Sequence, residues 1–78
     1  MLFPRLKDLR EDQDLSQEDI GKLLGIQQTV YSRYERGFQA LPIKHLLVLA
    51  DFYKTSTDYI LGRTNVMQTY PKNHLKRG

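Results

Sequence analysis

The most regular spacing of apolar positions lies in residues 16–37 and predicts two short helices joined by a tight turn. Ser16 is placed to cap the first helix, because its hydroxyl oxygen can accept from free backbone N–H groups. An apolar stripe at helical spacing follows, formed by Ile20, Leu23 and Leu24. Gly25 comes next and can adopt the left-handed conformation in which helices commonly end.

The second of these helices, which Gly37 ends, separates two kinds of side chain. At about 100° per residue, Val30, Tyr31 and Tyr34 fall on one side. The opposite arc carries amides, hydroxyls and guanidinium groups and no carboxylate: Gln28, Thr29, Ser32, Arg33 and Arg36. Such groups read base edges and hold phosphates. A solvated helix face is the other interpretation of this arc.

Three more helices are predicted from the same spacing. The first covers residues 3–12, with Pro4 in its first turn. After a loop at 38–42 a helix covers 43–54, and a short last helix covers 57–61, capped by Ser56. The fold class is therefore all-α.

The helix over 43–54 is apolar on more of its circumference than one core contact requires. We expect its inward stripe to consist of Ile43, Leu46, Leu47, Ala50 and Tyr53. The additional apolar side chains are a candidate dimer surface: Val48, Leu49 and Phe52. His45 has no partner at metal-ligand spacing and is expected at the surface or semi-exposed.

Charge is divided unevenly along the chain. The net charge is +3 and the sequence pI is about 9.3. Residues 1–62 hold eight Lys or Arg against nine Asp or Glu, whereas residues 63–78 hold four cations and no acid. We expect a domain over 1–62 and a basic, flexible tail over 63–78. Affinity for a polyanion must then come from a local surface of the domain.

Several protein classes are disfavoured. The 78 residues suit one domain with a compact core, and without cysteine there is no disulfide framework. No apolar run is long enough to span a bilayer or to form a signal peptide, so we expect a soluble, cytoplasmic protein without a membrane partner.

Catalytic patterns are equally weak. No glycine-rich phosphate loop or catalytic triad is visible, and so small a domain has little room for a substrate pocket. The acidic cluster lacks the spacing of a calcium loop: Asp8, Glu11, Asp12 and Asp14. We therefore expect a protein that is not an enzyme and uses no metal, cofactor or small-molecule substrate.

The segment 16–37 resembles the helix-turn-helix of the phage-repressor and Cro-like (XRE-type) DNA-binding family. The resemblance extends over about residues 5–62 and leaves out the tail. The residues that carry it are Gln17, Ile20, Leu24, Gly25, Ile26, Tyr31, Tyr34, Glu35, Arg36 and Gly37. Four positions depart from the family pattern, and two of them, Thr55 and Thr57, stand where aliphatic residues are usual. Gly21 stands where alanine is usual, and Gln27 stands where Ser or Thr usually caps the recognition helix.

The resemblance implies a five-helix, lambda-repressor-like domain and a role for each matched residue. Arg10 matches an arginine that in this family commonly pairs with the glutamate found here as Glu35. The base-contacting candidates are Gln27, Gln28, Thr29, Ser32 and Arg33. The phosphate-contacting candidates are Gln17, Arg36 and Lys44.

The function implied is that of a sequence-specific transcriptional regulator, a repressor that binds double-stranded DNA. A single recognition helix reads few base pairs, so a homodimer on a palindromic operator is expected. Two alternatives remain: a DNA-binding antitoxin with a protein partner, and an adaptor that keeps the fold without reading DNA.

Overall fold

The computed structural model describes residues 3–67, which form five α-helices and no strand. The helices are α1 (Pro4–Asp12), α2 (Gln17–Leu24), α3 (Gln28–Glu35), α4 (Ile43–Tyr53) and α5 (Thr57–Ile60). The helices α1, α4 and α5 each begin and end within one residue of the predicted bounds, and α2 and α3 lie within the predicted segment 16–37. The all-α, five-helix prediction is confirmed.

One core joins all five helices. The largest fully buried side chains are Leu6, Ile20, Tyr31, Leu49 and Ile60, one from each helix. Because every helix contributes to the same cluster, the five helices share a single hydrophobic core. This shared core fixes the position of α3 relative to the rest of the chain.

The α2–α3 connection has the local structure that the sequence predicts. Ser16 and Asp19 form a reciprocal capping box: each side chain accepts from the other residue's backbone N–H, at 3.0 Å for Ser16 Oγ and 2.9 Å for Asp19 Oδ2. Gly25 ends α2 with a left-handed φ of 72°. The Ile26 N–H then donates to the Gly21 carbonyl at 2.9 Å, which closes the turn.

Gly21 lies where the turn passes close to α2. A Cβ built on it would lie 3.0 Å from the Ile26 carbonyl oxygen and 3.4 Å from the Gln28 nitrogen. Both are backbone atoms, so a methyl group here would require the turn and the first residue of α3 to shift by a few tenths of an ångström. The glycine therefore sets how closely α3 packs on the helix before it.

The predicted orientation of α4 was partly wrong. Ala50 and Tyr53 are buried and Leu46 is partly buried, as expected. Ile43 and Leu47, however, are 73% and 53% exposed.

His45 and Leu49 are buried in their place, so His45 is neither a surface nor a semi-exposed residue and Leu49 is not available to a dimer surface. Apolar residues surround most of α4, so spacing alone did not fix the buried side. Packing against the other helices fixed it, with the His45 ring 6.1 Å from that of Tyr34.

Residues 63–67 are held against the domain. The Arg5 guanidinium stacks 4.2 Å from the Tyr59 ring centroid, donates to the carbonyls of Tyr59 and Thr64, and donates to Asn65 Oδ1 at 2.7 Å. The Thr55 hydroxyl donates to the Met67 carbonyl. The remainder of the predicted tail, including Lys72, Lys76 and Arg77, lies outside the described residues.

Within residues 3–67 no helix is both long and apolar enough to span a membrane.

Candidate nucleic-acid interface

The two sides of α3 differ sharply in exposure. On the inner side Tyr31, Tyr34 and Glu35 are buried, and the two tyrosine rings meet edge to face with centroids 6.5 Å apart. On the other side lie the residues of the carboxylate-free arc. Gln28, Thr29, Arg33 and Arg36 are exposed and Ser32 is half-buried. The structure therefore presents the arc as one continuous polar surface.

The first residue of this surface is Gln27, the residue immediately before α3. Its backbone is extended, with φ −74° and ψ 152°, and its side chain makes no capping hydrogen bond. Gln27 is exposed, and its amide donors and acceptor are not used to cap the helix. Gln27 thus extends the polar arc of α3 beyond the helix N-terminus.

A buried ion pair connects α1 to the last residue of α3. Arg10 Nε lies 2.7 Å from Glu35 Oε2, and Arg10 Nη2 donates to Oε1 at 3.2 Å. The remaining arginine nitrogen, Nη1, donates to the Leu15 carbonyl at 2.9 Å. The pair implied by the family resemblance is therefore present, and it joins α1, the α1–α2 turn and α3.

The ionisation of this pair follows from its hydrogen bonds. Burial raises the pKa of the Glu35 carboxyl, but hydrogen bonds from Arg10 and Gln17 are among those that outweigh it, so the pKa of Glu35 lies below its usual value. The hydrogen bond to Glu35 likewise raises the pKa of Arg10. Both groups stay charged over the ordinary pH range, as a buried pair must to avoid leaving one charge unpaired.

Gln17 joins this network from α2. Its Nε2 atom donates to Glu35 Oε1 at 3.2 Å, which accounts for one of the two amide protons. The other proton remains available, and Gln17 is the first residue of α2, where helix N–H groups and the helix dipole favour an anion. The structure therefore ties the candidate phosphate ligand Gln17 to α3 through Glu35, which the sequence pattern did not indicate.

The end of α3 adds an aromatic residue that pattern analysis had left in a loop. Phe38 follows Gly37, is 72% exposed, and its ring lies 4.7 Å from the guanidinium carbon of Arg36. An aromatic residue directly after the helix-ending glycine was the available sequence signal. Lys44, the remaining phosphate candidate, is exposed near the start of α4.

The chemistry available to these residues is non-covalent binding. The outer arc of α3 offers amide, hydroxyl and guanidinium donors without a neighbouring acid in the arc. Among residues 3–67, no group of three His, Cys, Asp or Glu side chains is placed to hold a metal ion. The acidic side chains of α1 and the turn that follows are exposed: Asp8, Glu11, Asp12 and Asp14.

Comparison with known proteins gives consistent matches over the helical part of the chain. A helix-turn-helix family model matches residues 6–60. The chain is 36% identical over 72 residues to the HTH-type transcriptional regulator AnsR of Bacillus subtilis, covering 92% of this chain and 62% of that protein. It is 36% identical over 65 residues to the regulator ImmR of the same organism, covering 83% of this chain and 51% of ImmR.

A phage protein is also similar. The cryptic phage CTXphi transcriptional repressor RstR of Vibrio cholerae is 34% identical over 53 residues, covering 68% of this chain and 48% of RstR. The chain thus spans between about half and three-fifths of the length of these relatives. No solved structure matches it. The match from α1 to the end of α5, together with the observed α2–turn–α3 geometry, shows that this chain belongs to the helix-turn-helix family.

Proposed function

We propose that this protein is a sequence-specific DNA-binding transcriptional regulator and not an enzyme. The observation that carries the proposal is the outer side of α3, where an exposed polar surface without a carboxylate lies on the second helix of a helix-turn-helix. In this fold the second helix enters the major groove. The named relatives are transcriptional regulators, which agrees with this role.

The base contacts come from α3 and the residue before it. Gln28 is exposed at the start of α3 and suits a bidentate contact to adenine, and Arg33, about 1.4 turns further on, suits guanine. Gln27, Thr29 and Ser32 complete the set that faces base edges. Because Gln28 and Arg33 are held by one helix, they read bases in a fixed register.

The phosphate contacts flank that helix. Gln17 binds a phosphate at the N-terminus of α2, with its side chain oriented by Glu35. Arg36 and Lys44 are the other phosphate ligands, beyond the C-terminus of α3 and near the start of α4. These contacts set the register of α3 on the duplex and carry no sequence information.

The protein acts as a homodimer on a palindromic operator, with half-sites about one helical turn, or ~34 Å, apart. Support for a second copy comes from apolar side chains that the core does not use. Val48 and Phe52 of α4 and Leu61 after α5 are each close to 40% exposed. Burial of these side chains against a second copy would stabilise a dimer.

Repression is the regulatory outcome that we propose. One relative is named as a transcriptional repressor of a phage. A dimer of this size bound across an operator would repress by occupying DNA that the transcription machinery needs, and it requires no small-molecule ligand to do so.

The test is selection of bound sequences from a random DNA pool, followed by salt titrations of affinity on the selected duplex and on a scrambled duplex. We expect a palindromic consensus and binding to the selected duplex at least about 10³-fold tighter than to the scrambled one. Enrichment of no sequence would contradict the proposal and would favour an adaptor. A consensus without symmetry would contradict the dimer alone.

A further inference from the structure

The backbone at the end of α3 holds Phe38 in a fixed position. Gly37 has a left-handed φ of 76°, its N–H donates to the Tyr34 carbonyl at 3.2 Å, and the Phe38 N–H donates to the Arg33 carbonyl at 2.9 Å. These two hydrogen bonds make a Schellman motif, a common and well-ordered helix end. The helix end therefore sets the backbone position of Phe38, whose ring is 72% exposed.

The contact that this ring makes is unusual for the motif. An apolar residue at this place commonly packs back on the residue three positions before the cap, which here is the polar Arg33. The Phe38 ring instead carries the Arg36 guanidinium on its face, with the guanidinium carbon 4.7 Å from the ring centroid. An exposed phenylalanine that has little contact with the core is thus used to hold a cation.

This stacking has a direct consequence for anion binding. A guanidinium that stacks through its flat face keeps the N–H groups on its edge free for a carboxylate or phosphate. An unsupported exposed arginine samples many rotamers and loses that freedom on binding. The contact with the Phe38 ring already restricts the rotamers of Arg36, so less side-chain entropy is lost when the guanidinium binds an anion.

We propose that Phe38 is a positioning residue for DNA binding, which holds the Arg36 guanidinium ready for a backbone phosphate beside the recognition helix. The inference rests on the proposed function, because it needs α3 in the major groove and Arg36 near the backbone. A phosphate contact is independent of sequence, so Phe38 contributes equally on operator and non-operator DNA.

The test is a double-mutant cycle with Phe38→Leu, Arg36→Ala and the double variant. Affinity is measured on the duplex selected from a random pool and on a scrambled duplex of the same length. Leucine keeps apolar bulk and removes the π face. We expect Phe38→Leu to weaken binding about two- to fivefold on both duplexes, the range that a cation–π contact at an exposed site supports.

The cycle separates positioning from direct contact. If Phe38 acts through Arg36, Phe38→Leu has no further effect once Arg36→Ala is present. Arg36→Ala lowers the magnitude of the salt slope by about 0.9, whereas Phe38→Leu leaves the slope unchanged because the phosphate contact still forms. Losses that multiply in the double variant would overturn the proposal, since they would mean that the ring touches DNA by itself.

Two further variants complete the design. Phe38→Tyr retains the ring and is expected to bind like the wild type, and Val66→Ala removes an exposed apolar side chain from the segment after α5 without effect on binding. Wild-type protein that binds DNA while Phe38→Leu binds equally well would overturn this inference alone. Wild-type protein that binds neither duplex would overturn the proposed function and this inference with it.

Discussion

The inner and outer sides of α3, a helix of eight residues, differ in burial and in the contacts of their side chains. On the inner side the carboxylate of Glu35 is buried and already bound by Arg10 and Gln17. On the outer side Gln28 and Arg33 are exposed. From this difference we propose two roles: the inner residues determine stability and orientation, and the outer residues determine affinity for DNA.

The largest effect is expected from breaking the inner ion pair. Glu35→Ala leaves the Arg10 guanidinium buried without its partner, which should lower the free energy of unfolding by about 3–5 kcal/mol. Urea denaturation followed by circular dichroism measures the loss. The matched control is Glu18→Ala, which breaks an exposed pair with Lys22 at 3.9 Å and should cost about 0–1 kcal/mol.

A double replacement tests whether stability depends on the contact between the two charges or only on leaving no buried charge unpaired. Arg10→Met combined with Glu35→Leu removes both charges and should recover most of the stability that Glu35→Ala loses. A double variant as unstable as the single one would show that the inner side depends on the ionic contact itself. The interpretation of the inner side as a packing and orientation surface would then be wrong.

The outer side is tested by Gln28→Ala. Loss of a bidentate contact to adenine should weaken binding to the selected operator by about 1–3 kcal/mol and leave binding to scrambled DNA unchanged. The free energy of unfolding should stay within about 0.5 kcal/mol of the wild type, because the side chain is exposed. Fluorescence anisotropy on both duplexes measures the effect, and equal losses on the two would contradict base readout.

Gln17 belongs to both regions, so its replacement should change both the stability of the fold and the affinity for DNA. Gln17→Ala removes a donor to Glu35, which should cost about 0.5–1.5 kcal/mol of stability. It should also weaken binding to both duplexes alike, with the salt slope unchanged, because a neutral amide that contacts a phosphate displaces no counterion. A variant that is less stable but binds both duplexes like the wild type would restrict Gln17 to the inner, structural role.

The smallest expected effect concerns the buried His45. Burial lowers the pKa of His45 in the folded state, and the neighbouring Lys44 charge adds to this. Between the folded and unfolded pKa values the unfolded chain binds more protons, so stability is full above about pH 6.5 and falls as the pH falls below it.

The comparison uses His45→Gln, which should flatten the pH dependence of the unfolding midpoint between pH 7 and pH 5. Identical pH profiles for the wild type and the variant would mean that His45 has the same pKa in the folded and unfolded states. The lowered pKa of Glu35 removes stability only at lower pH, below its unfolded value of about 4.5, so the two groups are separable.

The sequence predicted α2 and α3 well because their signals are local. A serine cap followed by Asp19, a left-handed Gly25 and a one-sided apolar stripe each restrict the backbone within a few residues. In α4 the same reasoning failed for Ile43 and Leu47, because apolar residues surround most of the helix and only packing with the other helices decides which side is buried.

In the candidate site, too, some features could be predicted from the sequence and others could not. The outer arc of α3 was predictable, since its direction follows from the helical period. The hydrogen bond from Gln17 to Glu35 was not, because it depends on the relative placement of α2 and α3. The contact of Arg36 with Phe38 depends on the left-handed Gly37, which turns the chain back over the helix end.

The most direct test of the central claim, that the outer side of α3 meets DNA while the inner side holds the fold, is amide chemical-shift mapping of the labelled protein. The selected duplex is titrated in, and the shift of each backbone and glutamine amide is followed. We expect the largest changes at residues 27–36 and at the Gln17 side chain. Changes concentrated on α4 and α5, with α3 unaffected, would contradict the account.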